Sequence, residues 1–161
     1  MNIFISCVSE KASHRCQAKD MYQSPLFQKA YAYAQSLHPD HIYILSAKYH
    51  VINTDQVISP YDLTLNDMSA DERKEWAEEC VKIIKAKHIN FDEKTIFLAG
   101  EHYVEYLREY FKNAEYPYDR LDGIGYILHW LDKKIPKNES LETYMKNNIK
   151  GLKEMIIETL N

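Results

Sequence analysis

Two acidic side chains stand where the chain turns from apolar to polar. Asp62 closes the segment Ser59-Pro60-Tyr61-Asp62, and Glu101 follows the apolar run that ends at Gly100. A carboxylate beside a bound sugar can stabilise an oxocarbenium-like centre or take a proton from attacking water. Asp62 and Glu101 are therefore the catalytic candidates, with Asp20 a third carboxylate of the same kind. Lys48, in Ser46-Ala47-Lys48-Tyr49-His50, is a cation suited to a phosphate or carboxylate. Tyr61 offers a ring on which a base can stack, a contact of roughly 1–3 kcal/mol. Ser6, Cys7, Ser46 and Gly100 add hydroxyl, thiol and backbone donors, and with Lys48 and Tyr61 they form the expected ligand-binding set. Each has a plainer alternative: a surface Lys, a Tyr packed in a turn, an exposed carboxylate, a buried structural Cys.

Chemistry at separate points of a chain needs elements that bring the points together. Three short apolar runs, over residues 2–6, 42–45 and 94–99, read as buried strands. Between the first two, Ser24-Pro25 opens a helix that Pro39 ends. Strand, helix and strand in that order predict parallel pairing through a right-handed crossover. Residues 68–87 form a second helix, with Ser69 and Glu72 spaced as a capping box. Residues 104–111 continue as helix. Tyr116-Pro117-Tyr118 is either a fourth short strand or a loop, and the turn at residues 122–125 feeds a short helix over 126–131. A long C-terminal helix over residues 138–160 carries the apolar stripe Leu141, Tyr144, Met145, Ile149, Leu152, Ile156 and Leu160. Ligands of open α/β sheets bind at the carboxyl ends of the strands. The ends after Ser6, Leu45 and Ala99 thus predict one pocket, with Lys48, Tyr61 and Glu101 on its walls and Ser6 on its floor.

Composition narrows the function classes. A net charge of −4 gives no bulk attraction to a phosphate backbone. No apolar run approaches the roughly 18–20 residues needed to span a bilayer, so no membrane partner is expected. The opening MNIFISC reads as a first strand and not as a signal peptide. Three cysteines at unrelated spacings fit a reducing cytoplasm and no disulfide framework. Cys7, His14 and Cys16 lack the spacing and the fourth ligand of a zinc site, so no metal is expected. Gly123-Ile124-Gly125 is too short for a dinucleotide fingerprint, and no cofactor is expected. Thirteen Tyr in 161 residues suit a polar-edged pocket or an interface.

The segments LSAKYHV and ISPYDL, together with FISCVSEK, AKDMYQSPLFQKAYAYA and LDGIGYILHWL, resemble a family of small uncharacterised bacterial and phage proteins. They are similar, more distantly, to the YaaA-type peroxide-stress proteins. The resemblance covers most of residues 2–131. It implies a Rossmann-like α/β domain and a link to nucleotide or nucleic-acid chemistry at N-glycosidic bonds. The family has Gly after its Lys-Tyr pair, where this chain has His50. The combined reading is a single-domain, three-layer Rossmann-like fold with a short, mostly parallel sheet. Its expected role is an enzyme acting on a nucleotide, nucleoside or nucleobase. The alternatives are a non-enzymatic module of stress response or phage defence that binds a nucleotide or DNA, and a purely structural interaction protein.

Overall fold

Ile3, Phe4 and Ile5 leave the first run without a polar face, and the chain buries it in the middle of a sheet. The structure, a computed structural model, describes residues 1–136. The helix expected over residues 138–160 lies outside the described residues. In chain order the elements are β1 (Asn2–Ser6), β2 (Cys16–Gln17), α1 (Ala18–Met21), α2 (Pro25–Ser36), β3 (His41–Ser46), β4 (His50–Asn53), β5 (Val57–Ile58), α3 (Ala70–Ala86), β6 (Thr95–Leu98), α4 (Glu101–Val104), β7 (Ala114–Glu115) and α5 (Ile124–Lys134). The main sheet has the order β4-β3-β1-β6-β7. β1 pairs in parallel with β3 and with β6, as the three apolar runs predict, and β7 is also parallel. The fold is thus a mixed α/β structure with a five-stranded, mostly parallel sheet.

Register sorts the core by chemistry. Ile3 lies level with Ile42 and Ile96, and Ile5 with Ile44 and Leu98, so one face of the central strands is aliphatic. Phe4 lies between Tyr43 and Phe97 on the other face. Its ring is 5.3 Å from Tyr43 and stacks on Phe97 at 5.0 Å. Phe111 meets both Phe4 and Phe97 edge-on, at 5.7 and 4.9 Å. Such aromatic pairs add about 0.5–1.5 kcal/mol each beyond their buried area.

The helix starts follow from their caps. The Ser24 hydroxyl accepts the Phe27 N–H at 3.4 Å, and Pro25 supplies the first turn of α2. Ser69 and Glu72 form both bonds of a capping box at the start of α3, at 3.2 and 3.1 Å. The crossover through α2 runs from β1 to β3, and the one through α3 runs back past β1 to β6. Right-handed connections in opposite directions put the two helices on opposite faces.

Three stretches differ from expectation. Residues 104–111 are not one helix: α4 stops at Val104, and a 3-10 turn at Arg108–Tyr110 follows. That tighter path still buries Val104, Leu107 and Phe111. The short strand falls at Ala114–Glu115 and not at residues 116–118. Pro117 has no N–H for a ladder and instead opens the 3-10 turn Pro117–Arg120. The helix expected over 126–131 is longer, Ile124–Lys134.

The expected loop after residue 45 also hides a hairpin. β3 turns back through residues 47–49 into β4, which pairs antiparallel at the sheet edge. The turn needs a left-handed residue, and His50 supplies it at φ +65°. Here His50 stands where the resembled family has Gly, the residue that enters this region without steric cost. Its ring lies parallel to Trp76 at 6.3 Å.

Burial lowers the imidazole pKa of His50 from its ordinary value, with Glu79 opposing. The native state therefore takes up this proton less readily than the unfolded chain. The stability this represents is whole above about pH 6.5, shrinks as pH falls below it, and is gone below the lowered native value. In urea titrations from about pH 7 to about pH 5, the parent should lose more stability than His50→Asn, since Asn tolerates the left-handed turn. Equal losses would remove His50 as the source.

Candidate functional site

Three sequence blocks meet at one hydroxyl. Tyr61 bonds through its OH to the Tyr22 OH at 2.7 Å and to the Ser46 Oγ at 2.8 Å. Ser46 Oγ also accepts the Tyr49 N–H at 3.0 Å, and Ser46 O accepts the Trp76 indole N–H at 3.0 Å. Tyr49 returns the contact: its OH donates to Ser59 O and accepts from Ser59 N, at 3.3 and 3.4 Å. LSAKYHV is thereby clasped to ISPYDL, and AKDMY to both. Burial pushes the phenols of Tyr22 and Tyr61 well up from their ordinary values. Both rings stay neutral, and the clasp is a chain of neutral hydroxyls.

Beside the clasp lies a cavity of about 360 Å³. Its parts come from the loop after β1 (Cys7, Val8, Ser9, Lys11), the start of α2 (Ser24, Pro25, Leu26) and the segment at 62–66. Tyr103 of α4 and Ile124 and Leu128 of α5 complete it. The connection after β1 runs to β3 on one side and the connection after β6 runs to β7 on the other, which opens between β1 and β6 the kind of crevice where α/β sheets hold ligands. Cys7 follows β1, and its N–H donates to Leu45 O at 2.9 Å, extending the parallel ladder by one residue. Its Sγ lies 3.2 Å from the Tyr103 hydroxyl. Burial pushes the Tyr103 phenol well up, so it stays a neutral hydrogen-bonding group.

Charges on this cavity are few and separate. Lys11 lies with its ammonium 4.4 Å from the centre of the Tyr61 ring. Asp62 lines the same space, and neither residue belongs to any ion pair among the described residues. The walls are mostly apolar, from Val8, Leu26, Leu63, Ile124 and Leu128. Leu63 and Ile124 remain 40% and 62% exposed. Apolar walls with a few convergent polar groups are the usual make-up of a small-molecule site, and the volume is near the lower end of the usual range of about 300–1,000 Å³. Among the described residues no three His, Cys, Asp or Glu stand together as metal ligands, and no helix is long and apolar enough to cross a membrane.

The expected site residues do not share one pocket. Cys7 and Asp62 line the cavity. Ser6 ends β1, half-buried and off the cavity wall. Ser46 is fully buried, with its hydroxyl committed to Tyr61 and Tyr49. Tyr61 presents its ring to Lys11 and meets Tyr22 and Tyr49 edge-on, at 6.4 and 5.6 Å, inside the clasp. Lys48 is exposed, and its ammonium lies 5.4 Å from the Tyr49 ring centre, away from the cavity.

Gly100 and Glu101 belong to a second cleft of about 540 Å³, beyond β6. There Arg108 bonds both oxygens of Asp119, at 2.8 and 2.7 Å, and also bonds Glu101. The pocket predicted from three strand ends is thus divided in two, with Tyr103 lining the first and Arg108 the second. Sequence reading missed Lys11, Tyr22, Tyr103, Thr64 and Asn66 as parts of the site.

The chain is a mixed α/β protein with a cavity of small-molecule size at the carboxyl edge of a mostly parallel sheet. Its sequence matches the family of unknown function DUF6884 over residues 3–133, and the chain belongs to that family. No curated protein matches it.

Removing the keystone hydroxyl tests the clasp. Tyr61→Phe leaves Tyr22 and Ser46 without their shared partner and should lower unfolding free energy by about 1–3 kcal/mol, measured by denaturant titration. A loss within about 0.5 kcal/mol would mean that the hydroxyl chain adds little.

Proposed function

We propose that the protein binds a nucleoside-type ligand in the cavity beside Cys7 and cleaves it at the N-glycosidic bond. One observation carries the reading: the apolar cavity at the sheet's carboxyl edge holds, of the two carboxylates expected to be catalytic, only Asp62. A base is planar and apolar on its faces, which suits walls of Leu26, Leu63 and Leu128. Its polar edge needs donors and acceptors, and Asn66, Thr64 and the neutral Tyr103 hydroxyl stand on the same lining. In the proposed step the C1′–N bond breaks and its electron pair leaves with the base nitrogen, which takes a proton from solvent. Water adds to C1′, and its proton passes to the Asp62 carboxylate. Asp62 also stabilises the positive charge that develops at the sugar in the transition state.

This reading carries the finer parts of the resemblance with it. They are a Rossmann-like arrangement of the layers, kinship with YaaA-type stress proteins, and a hydrolase acting in the cytoplasm. Glu101 has no place in the step, because Arg108 holds it in the other cleft.

The test is direct. The protein is incubated with a panel of nucleosides and nucleotides, and free base is followed by chromatography. The parent should release base from at least one member, and Asp62→Asn should slow release by about 10²-fold or more at similar affinity. Binding without base release by the parent would replace the enzyme with the nucleotide-binding module. No binding of any member would overturn both.

A further inference from the structure

Lys11 is a half-buried cation on the cavity wall, and among the described residues it has no counter-ion. Among the described residues its ammonium makes one hydrogen bond, to the carbonyl Ser9 O two residues back, at 3.4 Å. An ammonium has three donors, so two are left for whatever enters the cavity. What holds the group is the face of Tyr61, 4.4 Å away. This matters chemically. A carboxylate partner would both position the ammonium and cancel its charge. An aromatic face positions it through the ring quadrupole and leaves the charge available to a ligand.

The backbone beneath is fixed as well. Lys11 pairs with Tyr22 in an antiparallel bridge, the Ala12 N–H donates to Met21 O at 2.8 Å, and the Gln23 N–H donates to Glu10 O at 3.0 Å. Tyr22 in turn bonds the Tyr61 hydroxyl. The clasp therefore sets both the root of Lys11 and the ring under its tip.

Other cations are placed differently. Lys48 is outside the cavity. Arg108 is held by Asp119 and Glu101, and Lys29 pairs with Asp132. Among the described residues lining the cavity, Lys11 is the single Lys or Arg.

We infer that Lys11 binds the phosphate of a nucleoside monophosphate, with Tyr61 as the positioning residue that presents the ammonium, and that the free nucleoside is the weaker ligand. The inference rests on the proposed nucleoside site and adds its anionic end. It moves the phosphate contact from Lys48 to Lys11, and turns Tyr61 from a platform for the base into a platform for the lysine.

The experiment uses matched pairs, each nucleoside with its own 5′-monophosphate, titrated calorimetrically against the parent, Lys11→Met, Lys48→Met, Tyr61→Phe and Tyr61→Leu. Met keeps the apolar stem and removes only the charge. The parent should bind monophosphates about tenfold or more tightly than nucleosides, the size of a charge-assisted bond. Lys11→Met should bring that ratio close to one while nucleoside affinity stays within about twofold. Lys48→Met should leave the ratio unchanged. Tyr61→Phe keeps the ring and should keep the ratio, whereas Tyr61→Leu should lower it. The Phe variant reads the role of the ring even if the Leu variant fails to fold, since a lost ratio there would assign Tyr61 to the hydroxyl chain alone and overturn its positioning role. Nucleoside binding with an unchanged ratio in Lys11→Met, or a ratio lost in Lys48→Met, would overturn the inference and leave the nucleoside site standing. No binding of either member of any pair would overturn both.

Discussion

The structure around the cavity depends on the buried hydroxyl of Tyr61. One oxygen joins Tyr22, from the polar loop after β1, to Ser46, at the end of β3. A buried hydroxyl left without a partner costs about 1–3 kcal/mol, so the three groups are obliged to stay together. Their meeting fixes where the segment 59–64 runs, and so where Asp62 stands. The ribbon that carries Lys11 is held by its own backbone bonds and joins the clasp through Tyr22. Three of the five motif blocks that carry the resemblance are, in space, the parts of this clasp. Their first task is to hold loops over the sheet edge, and the cavity is what the held loops enclose.

The parallel sheet supplies the floor. β1 is covered on both faces and paired on both edges, so Cys7 leaves it at a fixed point. The antiparallel hairpin of β3 and β4 then turns the chain away before it returns as Ser59 and Tyr61. Charge is handled differently on the two sides of Tyr103. Beyond β6, Arg108 is held by both Asp119 and Glu101, so its positive charge is taken up within the cleft. On the Cys7 side, Lys11 and Asp62 face the same space without an ion pair. Opposite charges kept apart on one apolar cavity are an arrangement a ligand completes and a stable core would avoid. The exposed Leu63 and Ile124 at its mouth point the same way.

Much of the scaffold was legible because its signals are local. The apolar runs at 2–6, 42–45 and 94–99 and the caps at Ser24 and Ser69 each declare themselves within a few residues. The hairpin at His50 was not legible, because the turn uses an imidazole where the usual signal is Gly. A cavity does lie at the carboxyl edge, but nearness to strand ends does not name the residues that line it. Nearness does not say which way a side chain is pulled. Ser46 and Tyr61 are turned inward by each other, and Glu101 is drawn off by Arg108, a partner seven residues on. Lys11 lies five residues past the end of β1 and is placed by a ribbon whose strands are two residues long or a single bridge. Pairings that short leave almost no periodic trace.

We propose the cavity between Cys7, Lys11, Asp62 and Tyr103 as the place where the ligand binds. The most direct test is a crystal structure of the protein grown with a nucleoside monophosphate. Density for the base should lie between Leu26 and Leu128, for the sugar beside Asp62, and for the phosphate within hydrogen-bond reach of the Lys11 ammonium. Density for the nucleotide in the Arg108 cleft, or against Lys48 on the outer surface, with the cavity holding only water, would contradict it.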